Sequence, residues 1–316
     1  MKDRATPCSI VLPIYNGSNF LQRSISSNLL TMQPFDELLI VNDGSEDISS
    51  SKLLEFEHFD KRIKVLNKPH TGLVETLNYG ISCCKHEFIA RADVDDLYDE
   101  NRIDIQMDEM VKNNDYGAIF SDYTISSFQG RKIGTIPTAI FPALTKLSLI
   151  NPSRTPHPSV IYRKSKVLEV GGYLKSDFPA EDLSLWMRIS QVSNIATVPE
   201  LLLNYTRHKK SVTSNHQDLM TLKSKNLVIE FVNQIQLKEV SEYGYDIASF
   251  YQNFSEPTAR ILLFYRDILT LYKYRGELNF SFLLKNLNLF IDSIQIDTVP
   301  VLFQKLKEKL LINTIN

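Results

Sequence analysis

The sequence predicts an α/β fold, a mostly parallel sheet with helices on both faces, followed by a helical C-terminal extension. Three observations carry that prediction. From Cys8 to about Tyr123, the short apolar runs CSIVLPI, ELLIVND, RIKVL, EFIARAD and GAIFSDY alternate with longer stretches of helical periodicity. Such alternation implies βαβ units and strands buried on both faces. Turn residues and acids gather where the runs end, the place where open α/β sheets hold ligands. Beyond His216 the apolar residues Leu227, Val228, Phe231, Val232 and Ile235 recur at helical spacing, and Ile261 to Tyr274 is a second amphipathic segment.

Taken in order, the first strand ends in Pro13-Ile14-Tyr15-Asn16-Gly17, where Tyr15 offers a flat face for stacking a nucleobase. The second ends in Val41-Asn42-Asp43-Gly44-Ser45. A carboxylate in that turn can accept a base N–H, although NDGS is by itself also a good turn. The third leads into Asn67-Lys68-Pro69-His70-Thr71-Gly72-Leu73 and a helix carrying Asn78. The fourth closes on the carboxylates Asp93, Asp95 and Asp96. Acids clustered there can share one hard cation such as magnesium or manganese, commonly together with phosphate; the same cluster also suits a solvated turn or a helix cap. Arg91, two residues before Asp93 on the same side of the strand, can hold an acid, meet phosphate or act structurally.

From about Thr124 to Ser214 the pattern loosens into shorter pieces with Pro137, Pro142, Pro152, Pro156, Pro158 and the pair Gly171-Gly172, as in segments that shape a substrate-facing half. His157 lies there between two prolines. Glu181 and Asp182 precede Leu183, Leu185, Trp186 and Ile189, which places both acids in the first turn of a predicted helix, where acids are also ordinary helix starters. Trp186, at helical spacing with Leu185 and Ile189, reads as core more readily than as a sugar platform. The tail after residue 216 carries a mild basic excess. Its helices suit either packing on the core or lying on an anionic membrane surface.

Composition narrows the function. A chain of 316 residues with 43% hydrophobic content can bury a full core, and a net charge of −2 offers no long-range attraction for nucleic acid. Three cysteines, Cys8, Cys83 and Cys84, fit neither a disulfide framework nor a zinc site. With no apolar leader near the start and no long uncharged apolar run, the expected location is cytoplasmic, with peripheral contact on the inner face of the membrane through the C-terminal helices as an option.

The motifs together resemble inverting glycosyltransferases of family two, which have the GT-A fold. The resemblance rests on seven segments in order: P-x-Y-N at Pro13 to Asn16, V-N-D-G-S at Val41 to Ser45, N-K-x-x-x-G-L at Asn67 to Leu73, A-R-A-D-V-D-D at Ala90 to Asp96, H-P-S-V at His157 to Val160, G-G-Y at Gly171 to Tyr173, and A-E-D-L-S-L-W at Ala180 to Trp186. It covers about residues 7–215. The related bacterial enzymes build O-antigen, capsule and lipopolysaccharide. The resemblance implies a catalytic domain over residues 1–215, with 216–316 as a helical region for core packing or for membrane or partner association.

It further implies that Asp43 holds the base of a nucleotide sugar, with Pro13, Tyr15, Asn16, Lys68, Gly72 and Arg91 on the donor side. Asp93 would contact ribose or sugar, and Asp95 would bind Mn2+ or Mg2+ on the diphosphate, with His208 as a further metal or phosphate contact. Asp182 would be the catalytic base, with Glu181 beside it and His157 and Trp186 on the acceptor side. The expected partners are a UDP-sugar and a glycan or lipid-linked acceptor, with no nucleic acid. Galactose leads over glucose and N-acetylglucosamine as the sugar. A sugar-nucleotide pyrophosphorylase would need a Gly-rich loop where Pro13 to Gly17 has none. A processive synthase would show a Q-x-x-R-W segment and membrane spans, and neither is present. The non-enzymatic alternative is a nucleotide-sugar-binding or scaffold protein on a degenerate transferase fold, whose mark would be a lost acid; Asp93, Asp95 and Asp182 are all in place.

Overall fold

The structure is a computed structural model that describes residues 4–47, 49–136, 145–146, 148–149, 155–208 and 216–234. Among these, nine strands form one sheet in the order β3-β2-β1-β4-β8-β6-β9-β5, with β7 paired to β6. The strands are β1 Cys8–Ile14, β2 Glu37–Asp43, β3 Ile63–Lys68, β4 Phe88–Arg91, β5 Leu97–Tyr98, β6 Tyr116–Ser127, β7 Lys132–Ile136, β8 Ile161–Arg163 and β9 Asn194–Arg207. β1 to β4 run parallel to their neighbours, joined by the helices α1 Leu21–Leu30, α2 Ser49–Phe59 and α3 Leu73–Cys83. Every residue of β1 and of β2 is buried, which accounts for runs that read as continuously apolar.

Past β4 the sheet becomes mixed. β8 is antiparallel to both β4 and β6, while β9 lies parallel to β6. The segment whose sequence reads as loose therefore contributes three strands, β7, β8 and β9, to the same sheet. β9 escapes sequence reading because Pro199 and Glu200 interrupt it: Val198 pairs with Ser121 and Leu201 with Asp122, so the two residues between bulge out of the ladder. Around this half lie α4 Arg102–Lys112, α5 Lys164–Glu169, α6 Glu181–Val192 and α7 Gln217–Gln234. On α6, Leu185, Trp186 and Ile189 are wholly buried, each worth about 2 kcal/mol of apolar transfer or more. On α7, Val228 and Phe231 are buried. The compact unit extends to Phe231; the expected helix at Ile261 to Tyr274 and the basic tail lie outside the described residues. No helix among those described is long and apolar enough to cross a membrane.

The strand order reverses between β1 and β4. Their pairing ends at Val11 opposite Arg91, with the Ala92 N–H still donating to the Val11 carbonyl at 3.0 Å, and the strand ends beyond that bond are where an open α/β sheet forms its crevice. Pro13, which has no N–H, sits in β1 past that last pair, opposite Val41 of β2.

Candidate active site

One wall of the crevice is the loop after β2. Gly44 turns it at φ 69°, and a Cβ there would come 2.7 Å from the His70 backbone nitrogen, so the two loops touch only because this residue is glycine. The touch delivers Asp43 into a ring of donors. Its Oδ1 accepts the Thr71 N–H at 2.9 Å, Oδ2 accepts the Gly72 N–H at 3.0 Å, Lys68 bonds Oδ1, and His70 Nδ1 lies 2.9 Å from Oδ2. Burial alone would raise this carboxyl; the lysine and the backbone donors outweigh it and hold it below the usual range.

Asn16, placed beside the base by sequence, has another task. It adopts φ 52°, and its Oδ1 accepts the Glu46 N–H at 2.9 Å, stapling the loop after β1 to the loop after β2. Tyr15 is 47% exposed and stacks on His70, with ring centroids 4.1 Å apart. Lys68 is likewise spent on Asp43 and Thr71, and Gly72, at φ 97°, caps α3.

The second wall follows β4. Arg91 is buried, and its guanidinium holds Asp93 Oδ1 at 2.6 Å, so its observed partner is an acid. Tyr98 Oη accepts the Asp93 N–H at 2.8 Å, while the Arg102 guanidinium lies 4.4 Å over the Tyr98 ring and donates to the carbonyls of Arg91 and Val160. These supports fix the acid loop. Asp93, Asp95 and Asp96 bring carboxylate oxygens within 4.8 Å of one another. His208 Nε2 stands 2.7 Å from Asp95 Oδ2, so residues 113 apart in sequence meet here. Arg23, set between the rings of Phe20 and Phe128, donates to the Asp95 carbonyl at 2.9 Å.

Asp96 is fully enclosed. Its Oδ1 accepts the Thr206 N–H at 2.7 Å, but its buried Oδ2 has no hydrogen-bond partner among the described residues. Burial, then repulsion from Asp95 and Asp93, drives its carboxyl well above the ordinary range; burial and Asp93 raise Asp95 too, against the pull of His208. Three crowded carboxylates, one with an unmet buried oxygen, beside an imidazole form a donor set that suits a hard divalent cation.

The third wall is the N-terminus of α6. Burial pushes Glu181 up to about 8, with Asp182 adding repulsion, and burial pushes Asp182 up to about 6. Arg91 lowers both carboxyls and Asp93 raises them, each more weakly than burial does. Glu181 Oε2 is buried without a partner among the described residues. Asp182 Oδ1 accepts the Leu183 N–H at 2.7 Å.

His157 is held from behind. Its Nε2 lies 2.7 Å from Tyr173 Oη, and burial followed by Arg91 keeps the imidazole neutral, well below its usual pKa. Tyr173 is placed by Asn78 of α3, whose amide exchanges two hydrogen bonds of 2.9 Å with the Tyr173 backbone. Gly172, at φ 70°, allows that clamp, since a Cβ would lie 2.8 Å from Asn78 Oδ1. Trp186 has 0% exposure and meets the His157 ring at 5.8 Å, so it packs against that histidine in the core and offers no face to a sugar. Sequence reasoning missed Tyr98 and Arg23 and gave no role to Arg102 or to the pair Asn78 and Tyr173, because each acts through a contact made only in the fold.

A strand-end crevice with a fixed acid loop on one side and a buried carboxyl pair on the other defines a glycosyltransferase of the GT-A fold. Residues 9–170 match the family model described as glycosyl transferase family 2, and the chain belongs to that family. An uncharacterised glycosyltransferase of Haemophilus influenzae is 27% identical over 261 residues, which cover 73% of this chain and 79% of that protein. An Escherichia coli protein named UDP-Gal:alpha-D-GlcNAc-diphosphoundecaprenol beta-1,3-galactosyltransferase is 28% identical over 60% of this chain and 69% of its own length. The match spans only 36% of a longer Rickettsia conorii glycosyltransferase. Among solved structures, S. aureus TarS 1-349 in complex with UDP-GlcNAc superposes with a TM-score of 0.56 at 13% identity, over 85% of this chain and 89% of that one. The mannosyltransferase PcManGT from Pyrobaculum calidifontis, in complex with GDP-Man and Mn2+, gives 0.54 at 13% identity, over 90% and 86%. At such identities the structures establish the fold.

Proposed function

We propose that this chain is a metal-dependent inverting hexosyltransferase that moves a sugar from a UDP-sugar to a glycan acceptor, a lipid-linked precursor of a surface polysaccharide. Galactose is the first candidate, supported by the named activity of the E. coli relative, with glucose and N-acetylglucosamine behind it. The observation that supports the reading most is the crowded set of Asp93, Asp95 and Asp96, with His208 against Asp95; a buried Asp182, raised to about 6, is the candidate base that goes with it. Asp95, with His208, would hold a divalent cation, which supplies positive charge to a leaving diphosphate.

Asp182 takes the proton of the acceptor hydroxyl as its oxygen attacks the anomeric carbon opposite the leaving group. One such displacement inverts the carbon, so an α-linked donor yields a β-glycoside. Glu181, still largely protonated at neutral pH, is able to donate a hydrogen bond to the acceptor. Arg91 holds the Asp93 carboxylate in place through their ion pair. Tyr173 and Trp186 set the His157 ring on the acceptor side. In this reading residues 1–215 carry catalysis, and 216–316 serve core packing or association with a membrane or partner.

The test needs no acceptor. Purified protein is screened by thermal shift and by slow hydrolysis against a panel of nucleotide sugars with manganese, magnesium or EDTA. A metal-dependent shift with one UDP-sugar, with release of UDP, is the expected result. No shift with any nucleotide under any metal condition would reduce the resemblance to fold alone.

A further inference from the structure

The segments that carry Asp95 and His208 run side by side as antiparallel chains. Their ladder pairs Tyr98 with Leu203 and Leu97 with Asn204, and carried two steps further the same register sets Asp95 beside Thr206. The ladder itself ends at Leu97 and Asn204, and Arg23 of α1 takes its place. Its Nη2 donates to the Asp95 carbonyl at 2.9 Å and to the Thr206 hydroxyl at 3.3 Å. Thr206 also gives its N–H to Asp96 Oδ1 at 2.7 Å, so both faces of this residue are tied to the acid loop. β9 ends at Arg207, one residue short of His208, and side chains two apart along an extended chain leave on the same side.

Arg23 is itself held from outside that ladder. Its guanidinium lies 5.4 Å from the centre of the Phe20 ring and 5.3 Å from that of Phe128, and the two rings meet edge to face. Phe20 also reaches the imidazole of His208, with ring centroids 5.0 Å apart. One aromatic ring therefore touches both the cation that braces the two segments and the histidine at the end of one of them. Arg23 addresses the backbone carbonyl of Asp95, whereas Arg91 occupies the carboxylate of Asp93. The Asp95 carboxylate thus faces His208 instead of a competing guanidinium.

We infer that Arg23 is a positioning residue of the cation site: by bracing the Asp95 carbonyl to the Thr206 hydroxyl it sets the His208 imidazole against the Asp95 carboxylate, so that a divalent cation meets the two as a pair. The inference rests on the metal reading above and adds to it a residue that lies in none of the seven motifs. The side chain suits the task. A guanidinium is flat enough to lie against aromatic rings while one of its nitrogens serves two acceptors, and it keeps its charge at any working pH.

The experiment is calorimetric titration of the full chain with UDP, once with manganese and once in EDTA, and the readout is the ratio of the two affinities. A substitution that only loosens the fold lowers both affinities and leaves the ratio standing. Arg23→Met keeps an apolar stem against Phe20 and Phe128 and removes the donors; it should cut the ratio by about tenfold or more, the scale for loss of a group that orients a metal ligand. His208→Ala should cut it as well, and adding Arg23→Met to His208→Ala should cost less than about twofold more, because the two act through one contact. Thermal melts check that the variants fold. Thr206→Val removes only the accepting hydroxyl and is the second variant, expected to lower the ratio in the same direction. An unchanged ratio in Arg23→Met, or in Thr206→Val should the first not fold, would overturn the inference while leaving the metal reading intact, and so would losses that multiply in the double variant. Equal UDP affinity of wild type in manganese and in EDTA would take down the metal reading together with it.

Discussion

Asp43 and Asp96 are both buried aspartates at the end of a sheet strand or in the loop after it, yet they are provided for in opposite ways. Asp43 receives four donors and is held below its usual pKa. Asp96 receives one backbone N–H, faces two like charges and leaves an oxygen unmet. Glu181 and Asp182 side with Asp96, both being raised. A fully supplied carboxylate organises structure; an under-supplied one stores unfavourable free energy that an added cation or proton relieves. The contrast divides the crevice into a rim that shapes itself and a floor that awaits its substrates.

The largest test of the contrast is on the floor. Asp182→Asn should lower transfer by about 10² or more while nucleotide binding is retained, the usual scale for loss of a general base. In wild type the rate should fall as pH drops through about 6, because the base works only when ionised. Full activity in the variant would remove Asp182 from the mechanism. Next in size, Asp95→Ala should weaken manganese-dependent UDP binding by about tenfold or more. Calorimetry with and without EDTA checks this, and unchanged manganese-dependent affinity would place the cation elsewhere.

On the rim, Asp43→Asn replaces charge-assisted bonds to Lys68 and the backbone, and should cost about 1.5–3 kcal/mol, seen as a drop in Tm of several degrees. The sign follows from the lowered pKa: the ionised Asp43 stabilises the fold above its unfolded pKa, and that stability is lost as pH falls through the folded value. The smallest effect is the sharpest. Asp96→Asn in EDTA should leave Tm at pH 8 unchanged or raised, since the neutral amide keeps an acceptor for Thr206 and sheds a buried charge. A Tm loss as large as that of Asp43→Asn would erase the distinction between the two aspartates.

Much of the donor half was legible in the sequence. The runs CSIVLPI and ELLIVND coincide with β1 and β2, because strands buried on both faces write themselves as unbroken apolar runs. The acid loop and the α6 start were equally plain, being local. β9 was not, because a bulge at Pro199 and Glu200 hides a strand of 14 residues behind two residues that strands avoid. At the site, motif order named the acids but not their environment. That Asp43 would be saturated, that Asn16 would staple loops and that Trp186 would be sealed in the core all depend on contacts across the fold, which spacing does not encode.

The clamp between Asn78 and Tyr173 has a kinetic consequence. Its helix begins at Gly72, in the very loop that wraps Asp43, so α3 works as a rigid strut from the base end of the crevice to Tyr173 and, through it, His157. On the proposed donor reading, a nucleotide that settled the loop would settle the far end of the strut too. Substrate addition in a fixed order, donor before acceptor, is the behaviour such a linkage favours, and it would register as an acceptor affinity that exists only in the donor-loaded protein.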